Sequence, residues 1–404
     1  MDDDLPTQAL PEHLPLRCVL MRGGTSKGVF LRAADLPSDP RQRDRVILAL
    51  FGSPDPRQID GLGGADILTS KVAIIGPPSR PDADVDYTFG QVSITEPVVD
   101  YDMNCGNISA AVGVYAIEEG LVRPTDPLTH VRVHNTNTRT VFTVSVPTLH
   151  GMPQVEGECR IDGVPGTGAE ILLDYAGTAG AATGALLPTG RVRDSLTVPA
   201  LRRSLEVSLV DLANLCLFVR AQDLGLAGTE GPGDLPASAL DSIAAVKEAA
   251  AAVVGVRPDG LIPIPVLVAP PATYTTFLGT TVDAASVDLV ARVVGGRPLV
   301  LHKAYPGTAA ACTATAAAIP GTIPADVARP RAPGRWVIGH PSGTMTVASE
   351  VAEAGGTYRV ARAAYARTAR RLLDGVAYVR VRALEPDRVS ARLLGARGGD
   401  TVNA

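Results

Sequence analysis

The chain has 404 residues, of which 46% are hydrophobic and 20% charged, and its net charge is −5. That length suffices for two domains, each with its own core, and charges of both signs are dispersed, which gives no basic face for nucleic acid or an anionic membrane surface. No apolar run reaches the length of a membrane span, and the acidic start Met1-Asp2-Asp3-Asp4-Leu5-Pro6 does not resemble a secretory signal, so a cytoplasmic protein is expected.

In chain order, residues 1–15 are acidic and proline-bearing and are expected to form a mobile tail, with a first half over 16–199 and a second over 200–404. The last strands are free, on this reading, to return to the first half. Cys18-Val19-Leu20-Met21 reads as a strand, Arg22–Gly28 as a polar glycine-rich loop and Val29-Phe30-Leu31 as the next strand. Pro37-Ser38-Asp39-Pro40 then opens a helix that carries Val46, Ile47, Leu50 and Phe51 and ends at Gly52. A second glycine-rich loop, Asp60–Asp66, precedes a strand over Thr69–Ile75 with Lys71 near its start, and Asp84–Ile94 alternates like a half-buried strand. Further strands are expected around Thr129–Val133 and Val141–Val146.

Between them lies the stretch that concentrates chemistry, Asp102-Met103-Asn104-Cys105-Gly106-Asn107. From Ile108 the apolar residues recur as Ile108, Ala111, Val112, Tyr115 and Ala116, the spacing of one buried helical face, and Gly120 is placed to end the helix. A helix start leaves backbone N–H groups unpaired and carries partial positive charge, so a thiolate or a substrate carboxylate is stabilised beside Cys105. A buried, inert cysteine is the bland alternative. The flanking Asn104, Gly106 and Asn107 favour function, because they belong to polar, closely approached backbone rather than to core packing.

The second half repeats part of this plan. Val29–Leu36 and Leu217–Leu224 agree at five of eight positions, anchored on Phe30 and Phe218. An Ala-rich helix from about Ser238 to Val254, a strand through Pro263–Val268, a helix near Ser286–Val294 and a helix over Thr308–Ile319 follow in order. His302–Thr308 is thus the counterpart of the cysteine turn, without a cysteine at its apex. Two similar halves that each present a helix start frame a cleft, the usual place for a small-ligand site.

Lys71 is the candidate base. A surface lysine at a strand start is the ordinary alternative, and a base must first lose its proton, which burial or a second cation favours. Arg22 or Lys27 would supply that cation or else bind a carboxylate. The Arg22–Gly28 loop leads into a strand, whereas a P-loop and a serine-hydrolase elbow each lead into a helix, so neither is expected even though Gly24-Thr25-Ser26-Lys27-Gly28 has the letters G-x-S-x-G. Cys312 reads as a small core residue, Cys18 and Cys216 lie in apolar strands, and Cys159 lies in a polar connector. With five scattered cysteines, no C-x-x-C pair and His130 and His134 in a strand-like run, neither a disulfide framework nor a metal site is expected. His340-Pro341-Ser342-Gly343-Thr344 is a further polar turn, expected near the cleft.

Taken together, Met21–Phe30, Asp60–Gly64 with Thr69–Ala73, Asn104–Asn107, and Ala304–Thr308 with Cys312-Thr313-Ala314 resemble the PrpF family of 2-methylaconitate, methylitaconate and oxalomesaconate isomerases. The resemblance spans about Leu16 to Arg380. It implies an α/β (α+β) fold of the diaminopimelate epimerase type, two pseudo-symmetric halves each with a sheet wrapped around a central helix and the active site between them. It further implies cofactor-independent proton transfer on an unsaturated di- or tricarboxylic acid, with catalytic roles that match Lys71 and Cys105. The candidate substrate contacts are Arg22, Ser26, Lys27, Ser70, Asn104, Gly106, Asn107, His302 and Thr308. No cofactor, metal, nucleic acid or membrane partner is expected, and a homodimer is left open. An amino-acid racemase or epimerase on the same fold and a non-catalytic carboxylate-binding protein are the alternatives.

Overall fold

The computed structural model describes residues 12–296 and 298–384. The expected tail lies outside them up to residue 11. His13–Pro15, also assigned to that tail, are instead strand, paired with Tyr378–Arg380.

The first half opens with a hairpin of β1 (His13–Gly23) and β2 (Ser26–Arg32). Helix α1 (Pro40–Phe51) follows: Asp39 accepts from the Gln42 N–H at its start, Pro40 occupies its first turn, and Gly52 closes it in the left-handed conformation. Next come β3 (Lys71–Gly76), parallel to β2, and β4 (Val85–Val92), antiparallel to β3. Helix α2 (Gly106–Glu118) leads to β5 (Leu128–Asn135), parallel to β4, then to β6 (Thr140–Leu149) and β7 (Ile171–Asp174).

The second half runs through the same pairings. A hairpin of β8 (Arg203–Leu212) and β9 (Asn214–Arg220) precedes α3 (Ala237–Val254) and β10 (Ile264–Ala269), which lies parallel to β9. β11 (Leu289–Gly295) is antiparallel to β10, and α4 (Gly307–Ala318) is followed by β12 (Arg335–His340), parallel to β11. β13 (Gly343–Ala354), β14 (Thr357–Arg367) and β15 (Ala369–Arg380) end the fold. β14 pairs with β7 and β15 with β1, so the last strands complete the sheet of the first half.

Phe30 in β2 and Phe218 in β9 occupy matching places: each strand has a hairpin partner on one side, a parallel strand on the other and a short 3-10 turn at its end. The helix expected near Ser286–Val294 is instead a 3-10 turn at Ala284–Ser286 followed by β11. Leu289-Val290-Ala291-Arg292-Val293-Val294 is rich in β-branched residues and buried throughout, so its short apolar run fits a two-sided buried strand.

Helices α2 and α4 are the two centres. From Gly106 to Ile117 every residue of α2 is buried, and so is every residue of α4 from Gly307 to Ala317. The single apolar face read from Ile108 to Ala116 therefore understates the burial. The intervening positions are Ser109, Ala110, Gly113 and Val114, small or apolar enough for the sheet to close around the whole cylinder. A Cβ on Gly113 would fall 2.8 Å from Val144 of β6, which shows how closely the sheet wraps. One apolar cluster surrounds both helices and joins the halves.

Candidate active site

The two central helices meet at their N-terminal ends. A Cβ on Gly106 would lie 3.0 Å from the Thr308 backbone nitrogen, and a Cβ on either Gly106 or Gly307 would strike the Tyr365 hydroxyl, at 2.1 and 2.2 Å. Glycine is needed at both places for this close approach. Neither helix is capped by a side chain: Cys105 and Pro306 occupy the cap positions and make no side-chain cap hydrogen bond. Two helix starts with unpaired N–H groups and like-signed dipole ends thus converge, an arrangement suited to an anion.

Beside this junction lies a pocket whose polar lining is Ser26, Lys71, Gln91, Asn104, Cys105, Asn107 and His302. Its apolar lining includes Ile67, Met103, Leu261, Ile264 and Val293, contributed by both halves. Lys71 comes to it because Gln58 organises the loop ahead of β3. The Gln58 Oε1 accepts from Ala65 N at 2.8 Å and from Ser70 Oγ at 2.7 Å, and Gly63 leaves room for that side chain, since a Cβ there would sit 2.2 Å from it.

Lys71 is 6% exposed and its Nζ donates to Gln91 Oε1 at 2.7 Å. Gln91 is held in turn, its Nε2 donating to Ser70 O at 2.9 Å and to Ile67 O at 3.3 Å. The Phe89 ring lies 5.2 Å from the ammonium, and no carboxylate among the described residues forms an ion pair with Lys71. A buried amine with an amide and an aromatic face, but no acidic partner, is available to a substrate. His302 stands across the pocket with Nδ1 2.7 Å from Ala304 O. Burial, and next the nearby Lys71 charge, lower its pKa to about 4, so its imidazole is neutral near pH 7.

The turn before α2 is fixed from the other half. Asn214, at the start of β9, accepts from Asn104 N at 3.1 Å and donates to Asn104 O at 3.0 Å and to Thr308 Oγ1 at 2.9 Å. Ser109 Oγ donates to Asn104 Oδ1 at 3.1 Å and to Cys105 O at 2.9 Å. Asn214 and Gln91 were not among the candidates read from the sequence. The repeat, whose 188-residue offset sets Asn214 against Ser26, could have drawn notice to Asn214, and Gln91 stands only in the strand that pairs with Lys71.

Of the residues expected at the site, Ser26, Lys71, Asn104, Cys105, Asn107 and His302 line one pocket. Gly106 and Thr308 lie at the junction behind it. Three others serve elsewhere. Arg22 donates to Gly24 O at 3.0 Å and to Thr368 O at 2.9 Å, so it ties the β1–β2 loop to the residue joining β14 and β15, and burial lowers its pKa. Lys27 lies opposite Arg22 across the hairpin and outside the pocket lining. Ser70 is fully buried on Gln58. In an alternating strand adjacent residues face opposite ways, so with Lys71 and Ser26 turned to the pocket their neighbours Ser70 and Lys27 turn away.

Residues 14–380 match the model of the PrpF protein family. The chain belongs to the PrpF family. It is accordingly an isomerase. Among its relatives are the 3-methylitaconate isomerase of Eubacterium barkeri, 48% identical over 92% of this chain and 98% of the relative, and the 2-methyl-aconitate isomerase of Shewanella oneidensis, 37% identical over 93% and 99%. The crystal structure of a methylitaconate-delta-isomerase shares 46% identity over 94% of this chain and 99% of that one, with a TM-score of 0.77. A hydroxyproline epimerase structure at 12% identity, covering 91% of this chain and 93% of its own, has a TM-score of 0.55 and shares the fold alone. This PrpF chain therefore has the epimerase-like architecture, two pseudo-symmetric α/β halves around central helices.

Proposed function

We propose that the protein moves an allylic proton in an unsaturated di- or tricarboxylic acid of the methylitaconate, 2-methylaconitate or oxalomesaconate type, with Lys71 as the base. The observation that carries this reading is the buried Lys71 ammonium, which has an amide partner but no carboxylate and shares a pocket with Cys105 at an uncapped helix start. The apolar wall of Ile67, Met103, Leu261 and Val293 suits the hydrocarbon skeleton, and the helix starts suit the carboxylates.

In this mechanism the Lys71 ammonium first releases a proton to solvent, and the amine then takes a proton from the carbon allylic to the conjugated C=C. The electron pair of that C–H bond enters the π system to give a dienolate, and its charge builds on carboxylate oxygens. Backbone N–H groups of Gly106 and Asn107 stabilise that charge, which develops only as the proton leaves. The protonated lysine returns the proton to the far allylic carbon, which shifts the double bond, or to the original carbon after rotation, which exchanges cis for trans. The sequence is redox neutral, and because the three ammonium protons are equivalent and exchange with solvent, the proton returned to the product can be a solvent proton. Neutral His302 positions substrate by hydrogen bonding, and Cys105 touches the carboxylate end.

Proton NMR of purified protein with a panel of unsaturated tricarboxylates in D2O tests the reading. Turnover with deuterium entering one allylic position is the expected result, and no exchange with any panel member would sink it. A racemase acting with a thiol from each half has less support, because the start of α4 offers Pro306 at its cap and then Gly307 and Thr308, and the Thr308 hydroxyl accepts from Asn214.

A further inference from the structure

A second cavity of about 210 Å³ lies behind the helix junction, between the β1–β2 loop, residues 160–162, the β12–β13 hairpin and the end of β14. It is walled by Thr25, Arg160, Asp162, His340, Thr344 and Arg367, and Lys71 and Cys105 do not line it. The polar turn His340–Thr344, expected near the cleft, belongs to this cavity through His340 and Thr344.

Arg367 is its unusual member. The residue is 6% exposed, yet its guanidinium forms no ion pair with a carboxylate among the described residues. Its Nε donates to Asn107 Oδ1 at 2.9 Å, Nη1 to Ala366 O at 2.9 Å, and Nη2 only to the Met345 sulfur at 2.8 Å, with the Tyr365 ring 4.9 Å from Cζ. A thioether is a weak acceptor, so a guanidinium with five N–H groups is left short of good partners in a buried, polar space. Arg160 adds a second cation at the exposed edge of the same cavity. The acid in the wall, Asp162, already accepts the Thr344 N–H at 2.7 Å and the Thr344 hydroxyl at 3.3 Å through Oδ2. Two arginines against one acid leave the cavity net positive, and Thr25, Thr344 and Thr346 offer hydroxyls around it.

The cavity also touches the active site. Asn107 lines the pocket of Lys71 from the first turn of α2, and both partners of its side-chain amide, Thr25 at 3.0 Å and Arg367, line the second cavity. We propose that this second cavity binds a small carboxylate on Arg367 and Arg160, and that its occupancy changes turnover by drawing Arg367 away from Asn107. A planar carboxylate matches the guanidinium fork, and a bidentate pair gives Arg367 the acceptors that Met345 cannot. Released by Arg367, Asn107 shifts against the helix start, which alters how the catalytic pocket holds developing charge.

Malonate is the probe, since it has no allylic proton. With the full chain at saturating substrate the catalytic pocket is occupied, so any saturable malonate effect on kcat arises elsewhere. We expect kcat to change at least twofold, and calorimetry without substrate to count two malonates per chain. In Arg160→Ala the ratio of kcat with malonate to kcat without should return toward one, and the second binding event should weaken at least tenfold. Arg367→Lys, which keeps the charge but loses the fork, should weaken that event while circular dichroism reports an intact fold. Strictly competitive malonate with one site per chain would overturn the proposal, as would a kcat effect that survives in Arg160→Ala. Inorganic phosphate that displaces the second malonate as tightly as malonate itself binds would overturn the assignment to carboxylates.

Discussion

At the scale of single residues the proposed mechanism assigns the proton to Lys71 and leaves its neighbours to hold it or the substrate in place. A base that carries the proton in the transition state contributes a factor of about 10²–10⁴, so Lys71→Ala should lose at least that much in kcat. Cys105→Ser keeps a small polar group at the cap of α2 and should retain measurable isomerisation, because one lysine can both remove and return the proton. Near-normal turnover in Lys71→Ala would transfer the proton chemistry to the cysteine, whatever the serine variant does. Gln91 Oε1 accepts from Lys71 Nζ, so Gln91→Leu is expected to lower kcat by roughly tenfold by misplacing the amine. Its KM should stay within about twofold, which separates a positioning role from lost binding. If KM rises and kcat does not, Gln91 contacts the substrate instead.

At the scale of elements α2 is the piece on which the site depends, and both its ends are testable. At its far end Glu119 meets Arg17 at 2.7 Å, Arg32 at 2.6 Å and Arg371 at 2.9 Å. The bond from Arg17, offset in part by burial and helped by Arg371 and Arg32, lowers the Glu119 pKa to about 2. A carboxyl depressed in the fold adds stability that is fully present above its ordinary pKa near 4.5 and is lost as pH falls through 2. Glu119→Gln should therefore lower unfolding free energy at pH 7 by roughly 2 kcal/mol, discounted for the half-exposed arginines. Urea titrations should show the gap to wild type closing between pH 4.5 and 2, and a gap independent of pH would refute the linkage. At its near end a Cβ on Gly106 meets mainly the Tyr365 hydroxyl, whereas a Cβ on Gly307 meets the ring itself at 2.3 Å. Tyr365 is buried, stacks on Tyr175 at 5.8 Å and has Arg367 4.9 Å from its ring, contacts that oppose its displacement. Tyr365→Phe should accordingly restore stability to Gly106→Ala and fail to restore it to Gly307→Ala, as read by Tm. The sequence made α2 legible because the apolar spacing from Ile108 to Ala116 and a terminal glycine at Gly120 agree on one helix. It misled at β11, where a buried strand and a buried helix share the same apolar composition over seven residues. It misled at Arg22 and Ser70 too, because a polar residue beside a glycine-rich loop can serve the loop as well as a ligand. Asn214 was missed because an asparagine in a strand start carries no motif, and its role appears only when the other half's turn is laid against it.

At the scale of the whole molecule the two halves share a core around α2 and α4, but the pocket between them is also bridged at its rim by ions. Lys303 of the second half pairs with Asp66 of the first at 2.6 Å, and Arg257 of the second pairs with Asp102 of the first. Each bridge adjoins the pocket lining: Asp66 precedes Ile67, Lys303 follows His302, and Asp102 precedes Met103. Burial alone would raise the Asp66 pKa, yet the Lys303 ammonium and the Leu68 N–H more than offset it and the carboxyl is held below its ordinary value. Both bridges are partly exposed, so each is worth about 0.2–1 kcal/mol and is screened by salt. If they hold the pocket closed over substrate, Asp66→Asn and Asp102→Asn should each raise KM by up to about fivefold, with kcat changed less. The double variant should approach the product of the two effects, because the bridges share no partner. Wild-type KM should rise between 0.05 and 0.5 M sodium chloride by about the amount the double variant loses, and the double variant itself should be nearly insensitive to salt. A wild-type KM that ignores salt, with both variants unchanged, would mean that the shared core alone sets the spacing of the halves and that the rim ions only decorate it.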